Sequence, residues 1–300
     1  MIPPRPSLLP LRDDPTGRLL GADLPPGRLL DETFEGPWRE PLVWRSDVPA
    51  LPGHWARLRA ETRHTGLYPL LLGGTHTYAR GVREPEPWQP DLGPDLVTDP
   101  DAFDAEQLMR EWWQKYATPD ADADGGGGGG EGEGEGEGED SEADERAEML
   151  APHDRTWPGF APAGTLQADP EHRAAEAADI LLRNKNLLLP RLGLAPAGRS
   201  SDVLTAIGWT GPLNYDNDPA PFTAVLRSWE DRFGTRLVAL THDVLYLSVA
   251  APPRTLDHAL AVAAEHFAFC PDSIWQGSDT IHTHAEESIL DQPLWAFWWD

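Results

Sequence analysis

Apolar positions recur along this chain in two periods, and each period predicts its own elements. PLVWRSD reads as a short strand. LPGHWARLRAETRHTG follows as a helix with Trp55 and Leu58 on one face, closed by Gly66. LYPLLL is apolar at successive positions rather than alternating, the pattern of a strand buried on both faces. DAFDAEQLMREWWQKY predicts a second helix, entered through Asp101 or Asp104, with Leu108, Met109, Trp112 and Tyr116 at helical spacing.

The second half is more regular. HRAAEAADILLRNKNLLLP predicts a helix from about Pro170 that ends before Pro190, and SDVLTAIGW predicts a short helix leading to Trp209. DNDPAPFTAVLRSWEDRFG has Asn217 or Asp218 as cap, prolines in its first turn and Gly234 as its stop. Phe222, Val225, Leu226, Trp229 and Phe233 share one face. Burying these five does not exceed the entropy cost of ordering the helix alone, so the helix must lie on another element. TRLVALTHDVLYLSVA predicts two strands around His242-Asp243. PPRTLDHALAVAAEHFAFCP predicts a helix capped by Thr255, and TIHTHAEESIL a further helix. LWAFWW, aromatic on both faces, predicts a central strand. The order α-β-β-α-α-β implies an α+β fold, a mixed β-sheet with helices packed on it.

Between these halves lies TPDADADGGGGGGEGEGEGEGEDSEADERAEML. Residues 119–150 hold thirteen acidic side chains against one arginine, so −12 of the net charge of −26 sits there. A like-charge, glycine-rich run cannot offset its ordering entropy by burial and is expected to be a disordered acidic linker. The predicted organisation is a Pro-rich N-terminal arm over 1–38, a β-α-β-α segment over 39–118, the linker over 119–150 and an α+β domain over 151–300.

Charge and composition narrow the classes of partner. An acidic surface repels phosphate backbones and anionic membranes, so neither nucleic acid nor membrane is expected, whereas a basic protein surface would be attracted. Cys270 is the lone cysteine, which excludes an internal disulfide and fits a reducing cytoplasm. No apolar run approaches a membrane span or a signal-peptide core.

The blocks GWTGPLN, VLRSWEDRFG, LYLSVAAPP and AAEHFAFCPD, the pair Gln276-Gly277 and the terminal FWWD together resemble the bacterial family of domain of unknown function 4253, from about Asp202 to Asp300. HWARLRAETRHTGLYPLLL resembles the upstream segment of longer members, and DTIHTHAEES departs from the plainer helix expected there. The resemblance implies no activity, substrate or cofactor.

Function must therefore be read from residues. There is no G-x-x-x-x-G-K-[ST], no strand-to-helix G-x-G-x-x-G, no C-x-x-C, no H-E-x-x-H and no G-x-S-x-G. The densest candidate cluster is Glu265, His266, Cys270 and Asp272. His266 and Cys270 lie one helical turn apart, where an imidazolium would activate a thiolate. The blander expectation is a buried thiol at a helix end. A zinc site from His266, Cys270, His282 and His284 has suitable ligand types, but H-x-H on a helix points its members about 200° apart. No metal or cofactor is therefore assigned. Asn214 belongs to a polar loop whose composition suits turns and capping as well as cation binding. Thirteen tryptophans exceed what a core of this size needs, and Trp88, Trp157 and Trp275, in Pro- or Gly-rich loops, are candidate contact anchors. Taken together, the residues point to a non-catalytic, tryptophan-rich protein-binding domain, by analogy like toxin-neutralising immunity proteins. An enzyme built on the Glu265 cluster, with or without zinc, is the alternative.

Overall fold

The computed structural model describes residues 6–79, 82–89, 92–118 and 137–299. In chain order they form α1 (Pro10–Asp13), β1 (Gly27–Leu30), β2 (Glu32–Thr33), β3 (Gly36–Pro37), β4 (Val43–Pro49), α2 (His54–Thr62), β5 (Tyr68–Leu72), β6 (Thr75–Ala79), β7 (Val82–Glu86) and α3 (Ala105–Ala117). After these come α4 (Glu137–Leu150), α5 (Pro170–Arg183), β8 (Arg191–Ala195), α6 (Val203–Ile207), α7 (Pro219–Phe233), β9 (Arg236–Leu240), β10 (Val244–Ser248), α8 (Leu256–Phe269), α9 (Ile281–His284) and β11 (Leu294–Trp298). The fold is α+β. Two units divide the chain. A sheet unit takes Met1–Ala105, Ala163–Pro252 and Gln292–Asp300, and a helical unit takes Glu106–Pro162 and Pro253–Asp291.

In the sheet unit, the described residues form a mixed sheet of seven strands in the order β1-β4-β8-β5-β9-β10-β11. All neighbours are antiparallel except β5 and β9, which run parallel. Chain on both sides of the acidic segment thus builds one sheet. The N-terminal stretch adds a strand to it, because β1 pairs with β4 along Gly27–Leu30. β5 is buried at every position, as its unbroken apolar run predicts.

Two strands differ from expectation. β8 lies inside the sheet, between β4 and β5, yet RLGLA is bracketed by Pro190 and Pro196 and contains Gly193, a weak strand signal. A Cβ at Gly193 would meet the Leu72 side chain at 2.7 Å, so glycine spares that buried leucine a shift. β11, predicted to be central, is the last strand in the order. Trp295 and Phe297 are buried while Ala296 is exposed, so the strand alternates and the aromatic excess serves one packed face.

That packed face belongs to α7. Asp218 caps the helix by accepting the Ala220 N–H at 2.9 Å, Pro219 occupies its first turn, and Gly234 stops it at φ +61°. All five predicted apolar residues are buried. Trp229 stacks on Phe297 with ring centres 5.2 Å apart and meets Trp295 edge-on at 5.7 Å, while Phe233 lies 5.5 Å from Trp295. At the sheet's rim Arg59 and Arg236 both pair with Glu171, at 2.6 and 3.0 Å. Burial opposes charge on Glu171, but these hydrogen bonds outweigh it and hold the carboxyl below its ordinary range.

In the helical unit α8 is buried on nearly every side beyond Ala259, as expected of an Ala- and Phe-rich helix without a polar face. Thr255 caps it by accepting the His258 N–H at 3.3 Å. In α3 the side chain turned inward is Trp113 rather than Trp112. Trp113 packs against Phe267 at 5.5 Å and Trp157 at 5.8 Å. Helix α4 occupies the second half of the segment whose composition predicts disorder, and residues 119–136 of that linker lie outside the described residues. Arg146 ties α4 in place by donating to the Tyr116 carbonyl at 2.7 Å, a long-range contact that composition does not reveal. Among the described residues no helix is long and apolar enough to cross a membrane.

Candidate functional site

The C-terminal end of α8 and the turns that follow it hold the candidate cluster, all within the helical unit. Each member has a definite task. Glu265 is fully buried, and its Oε1 accepts the Ala161 N–H at 2.7 Å. Two more bonds reinforce that tie: His153 Nε2–H donates to the Leu260 carbonyl at 3.2 Å, and His258 Nε2–H to that of Pro162 at 2.8 Å. The carboxylate therefore anchors residues 153–162 along α8.

Cys270 is fully buried, and its Sγ accepts the Ser273 hydroxyl at 3.3 Å. The backbone N–H of Cys270 closes α8 on the His266 carbonyl at 2.8 Å. Asp272, also buried, accepts from Gln276 Nε2 at 3.4 Å. A thiol with no access to solvent cannot meet a substrate, so the blander expectation for Cys270 is the one its burial supports.

His266 faces a different partner from the one its spacing suggests. Its Nδ1 lies 3.1 Å from Nε2 of His284, and Nδ1 of His284 lies 3.1 Å from the Ser278 hydroxyl. Ser278, His284 and His266 form a hydrogen-bonded chain running from a half-buried hydroxyl into the interior. Burial pushes the His284 imidazole down to about 4, and burial together with its neighbour His284 pushes His266 well below the ordinary histidine range. Both rings are neutral at pH 7.

The turns carrying Ser278 are tight. Residues Ser273–Ser278 coil as a π-turn that ends at Asp279, a non-glycine residue with φ +65° and ψ −37°. The Thr280 N–H bonds back to the Ser278 carbonyl at 2.8 Å, and the Asp279 N–H to that of Ile274 at 2.9 Å. A second π-turn, Ala285–Ile289, follows α9. One continuous helix is predicted over this stretch, but its geometry is divided so that His284 turns inward while His282 is exposed, 3.6 Å from Glu286. Among the described residues no group of three or more His, Cys, Asp or Glu is placed to hold a metal ion. That removes the geometric basis for zinc at His266, Cys270, His282 and His284.

Beside this chain lies an open cleft of about 450 Å³ lined by Glu145, Arg146, Met149, Trp275 and Asp279. Trp275 is 36% exposed. Tyr116 and Phe267 hold its ring edge-on, each at 5.7 Å, and the Arg146 guanidinium lies 5.7 Å from its centre.

The other predicted anchors lie elsewhere. Trp88 and Trp157 are 2% and 8% exposed, so both fold back as plugs and neither offers a contact surface. Trp88 also accepts a hydrogen bond from buried Arg45 through its carbonyl. Asn214 is exposed on a loop of the sheet unit, whereas the cluster belongs to the helical unit. Ser278 was not singled out by sequence. A serine twelve residues after one histidine and six before another has no motif to mark it, and the turns that follow α8 bring these side chains together.

The mixed sheet of one unit and the helices of the other make this an α+β protein. Residues 191–300 match the family described as Domain of unknown function (DUF4253). The match begins at β8, takes in β9, β10 and β11 of the sheet unit, and includes the whole of α8 and α9. No curated protein matches the chain, and no solved structure does.

Proposed function

We propose that this protein is a binding domain of the bacterial cytoplasm that recognises a protein partner with a basic surface through the cleft at Trp275. The observation that carries the reading is the exposed indole, held edge-on by Tyr116 and Phe267. Tryptophan, arginine and methionine are the residue types enriched where binding energy concentrates, and all three line this cleft. A ring fixed before the partner arrives loses little entropy on binding. Glu145 and Asp279 at the rim, and the overall charge of −26, favour a cationic partner and disfavour nucleic acid or an anionic membrane. The buried, reduced thiol of Cys270 suits a reducing compartment.

Trp275→Ala tests the reading. Tagged full-length protein should retain a specific partner from a lysate at low salt and release it as salt rises. The substitution should weaken capture at least about 30-fold, the loss expected of a binding hot spot. Equal capture by both forms, or no capture at low salt, would remove the proposal.

A further inference from the structure

We propose that Ser278 is a nucleophile for acyl transfer, with His284 as its general base and His266 as the residue that positions His284, acting on an activated acyl group, an ester or thioester, presented in the cleft at Trp275. The inference shares that cleft with the binding reading and adds a reaction to it. Of the Glu265 cluster only His266 takes part, and no metal does.

Three observations converge. The first is the order of the chain: hydroxyl, imidazole, imidazole, at 3.1 Å and 3.1 Å, with the hydroxyl at the solvent end and both rings buried. A serine hydroxyl is a weak nucleophile until an adjacent base takes its proton, and that base must itself be oriented by a third group. When His284 Nε2–H donates to His266 Nδ1, the Nδ1 lone pair of His284 is left to accept the Ser278 proton. The second is the backbone. Asp279, directly after the serine, is held at φ +65° in a tight turn closed by Thr280 N–H on the Ser278 carbonyl. Non-glycine residues avoid that region, and such conformations concentrate where a side chain must be held for function. The third is access. Ser278 is half-buried and lies in sequence between Trp275 and Asp279, both of which line the cleft.

The step balances without any other cofactor. Ser278 Oγ bonds to the acyl carbon as its proton passes to His284 Nδ1. The tetrahedral adduct then collapses, breaking the bond to the alcohol or thiol, which leaves with that proton. Water attacks the acyl-serine in the reverse sense, releasing the acid and restoring the hydroxyl. Arg146, with guanidinium donors beyond the one given to Tyr116, is the cleft residue suited to the developing oxyanion. A histidine held far below neutrality is a weak base, which matches esters and thioesters rather than amides.

The test uses a fluorophosphonate probe on the full-length protein, read by intact mass and peptide mapping. Here Ser278 Oγ bonds to phosphorus, fluoride leaves and the proton again goes to His284. The expected result is one adduct, on the peptide bearing Ser278. Ser278→Ala should abolish it. His284→Gln should slow it about 100-fold or more, the contribution of a general base. His266→Gln should lower the maximal labelling rate while leaving the probe's half-saturating concentration unchanged, which mere loosening of the fold would not do. Ser273→Ala, which removes a hydroxyl bonded to Cys270, should label like the native chain. No adduct on folded protein, or an adduct that survives in Ser278→Ala, overturns the inference. If the partner is captured and Ser278 stays unlabelled, the inference falls and the binding reading stands. If Ser278 is labelled and no partner is captured, the inference stands and the binding reading falls.

Discussion

His266 and His284 hydrogen-bond to each other inside the helical unit with neither ring charged, and that makes the fold sensitive to acid. In the unfolded chain each histidine titrates near 6.5, whereas in the folded state His284 does so only at about 4 and His266 well below its ordinary value. The unfolded state therefore binds more protons between those limits, and stability falls as pH drops. The pair's contribution is complete above about pH 6.5 and is lost progressively towards pH 4, with His284 alone accounting for on the order of 3 kcal/mol. Urea unfolding at pH 7 and pH 5 should show this slope, and the double substitution His266→Gln with His284→Gln should flatten it. An unchanged slope in the double variant would show that the pair is not its source.

Other residues were legible to differing degrees. Cys270 reads from sequence as a small side chain at a helix end, and its burial agrees with that. The loop tryptophans could not be sorted by composition. Trp88 and Trp157 adjoin a proline and Trp275 stands two residues before Gly277, yet two are buried and one is open, because burial depends on what other segments bring to the same place.

Among the elements, α7 was readable from end to end because every signal agreed: cap, proline turn, apolar face and glycine stop. Its cap is also the most informative to remove. Asp218 accepts from Ala220 N–H, and also from the backbone N–H and hydroxyl of Thr98. Asp218→Ala should cost about 2 kcal/mol, the upper end for a helix cap. A shift in the denaturation midpoint with unchanged slope checks this, and no shift would mean that water replaces these bonds. β8 shows the opposite case. Its signals disagree, with prolines at both ends and glycine within, and its place is set by pairing with β4 on one side and β5 on the other. α4 was hidden for a related reason, since a run of acidic residues reads as solvated until a neighbour such as Tyr116 supplies a partner for Arg146.

At the scale of the molecule, the family match and the physical sheet do not coincide. Residues 191–300 supply β8, β9, β10 and β11, but β5, from the N-terminal half, stands between β8 and β9. Cut out alone, that stretch would leave β8 with neither of its neighbours and β9 with an open edge. Residues 191–300 expressed by themselves should lack a cooperative thermal transition, whereas the full chain should show one. A sharp transition in the fragment would mean that the N-terminal strands are dispensable. Co-expression with residues 1–118 should restore solubility if strand pairing is the missing element.

Periodicity, caps and turn residues are local, and they alone settled which stretches become α2, α7, α8, β5, β9 and β10, that helices and strands share an α+β fold, and that the C-terminal blocks resemble a family without a known role. The order of strands, the edge position of β11 and the insertion of β8 depend on contacts between residues far apart along the chain, and the meeting of Ser278 with His284 and His266 on the turns that follow α8. No local pattern encodes those, because they follow from which surfaces remain to be covered once each element has formed.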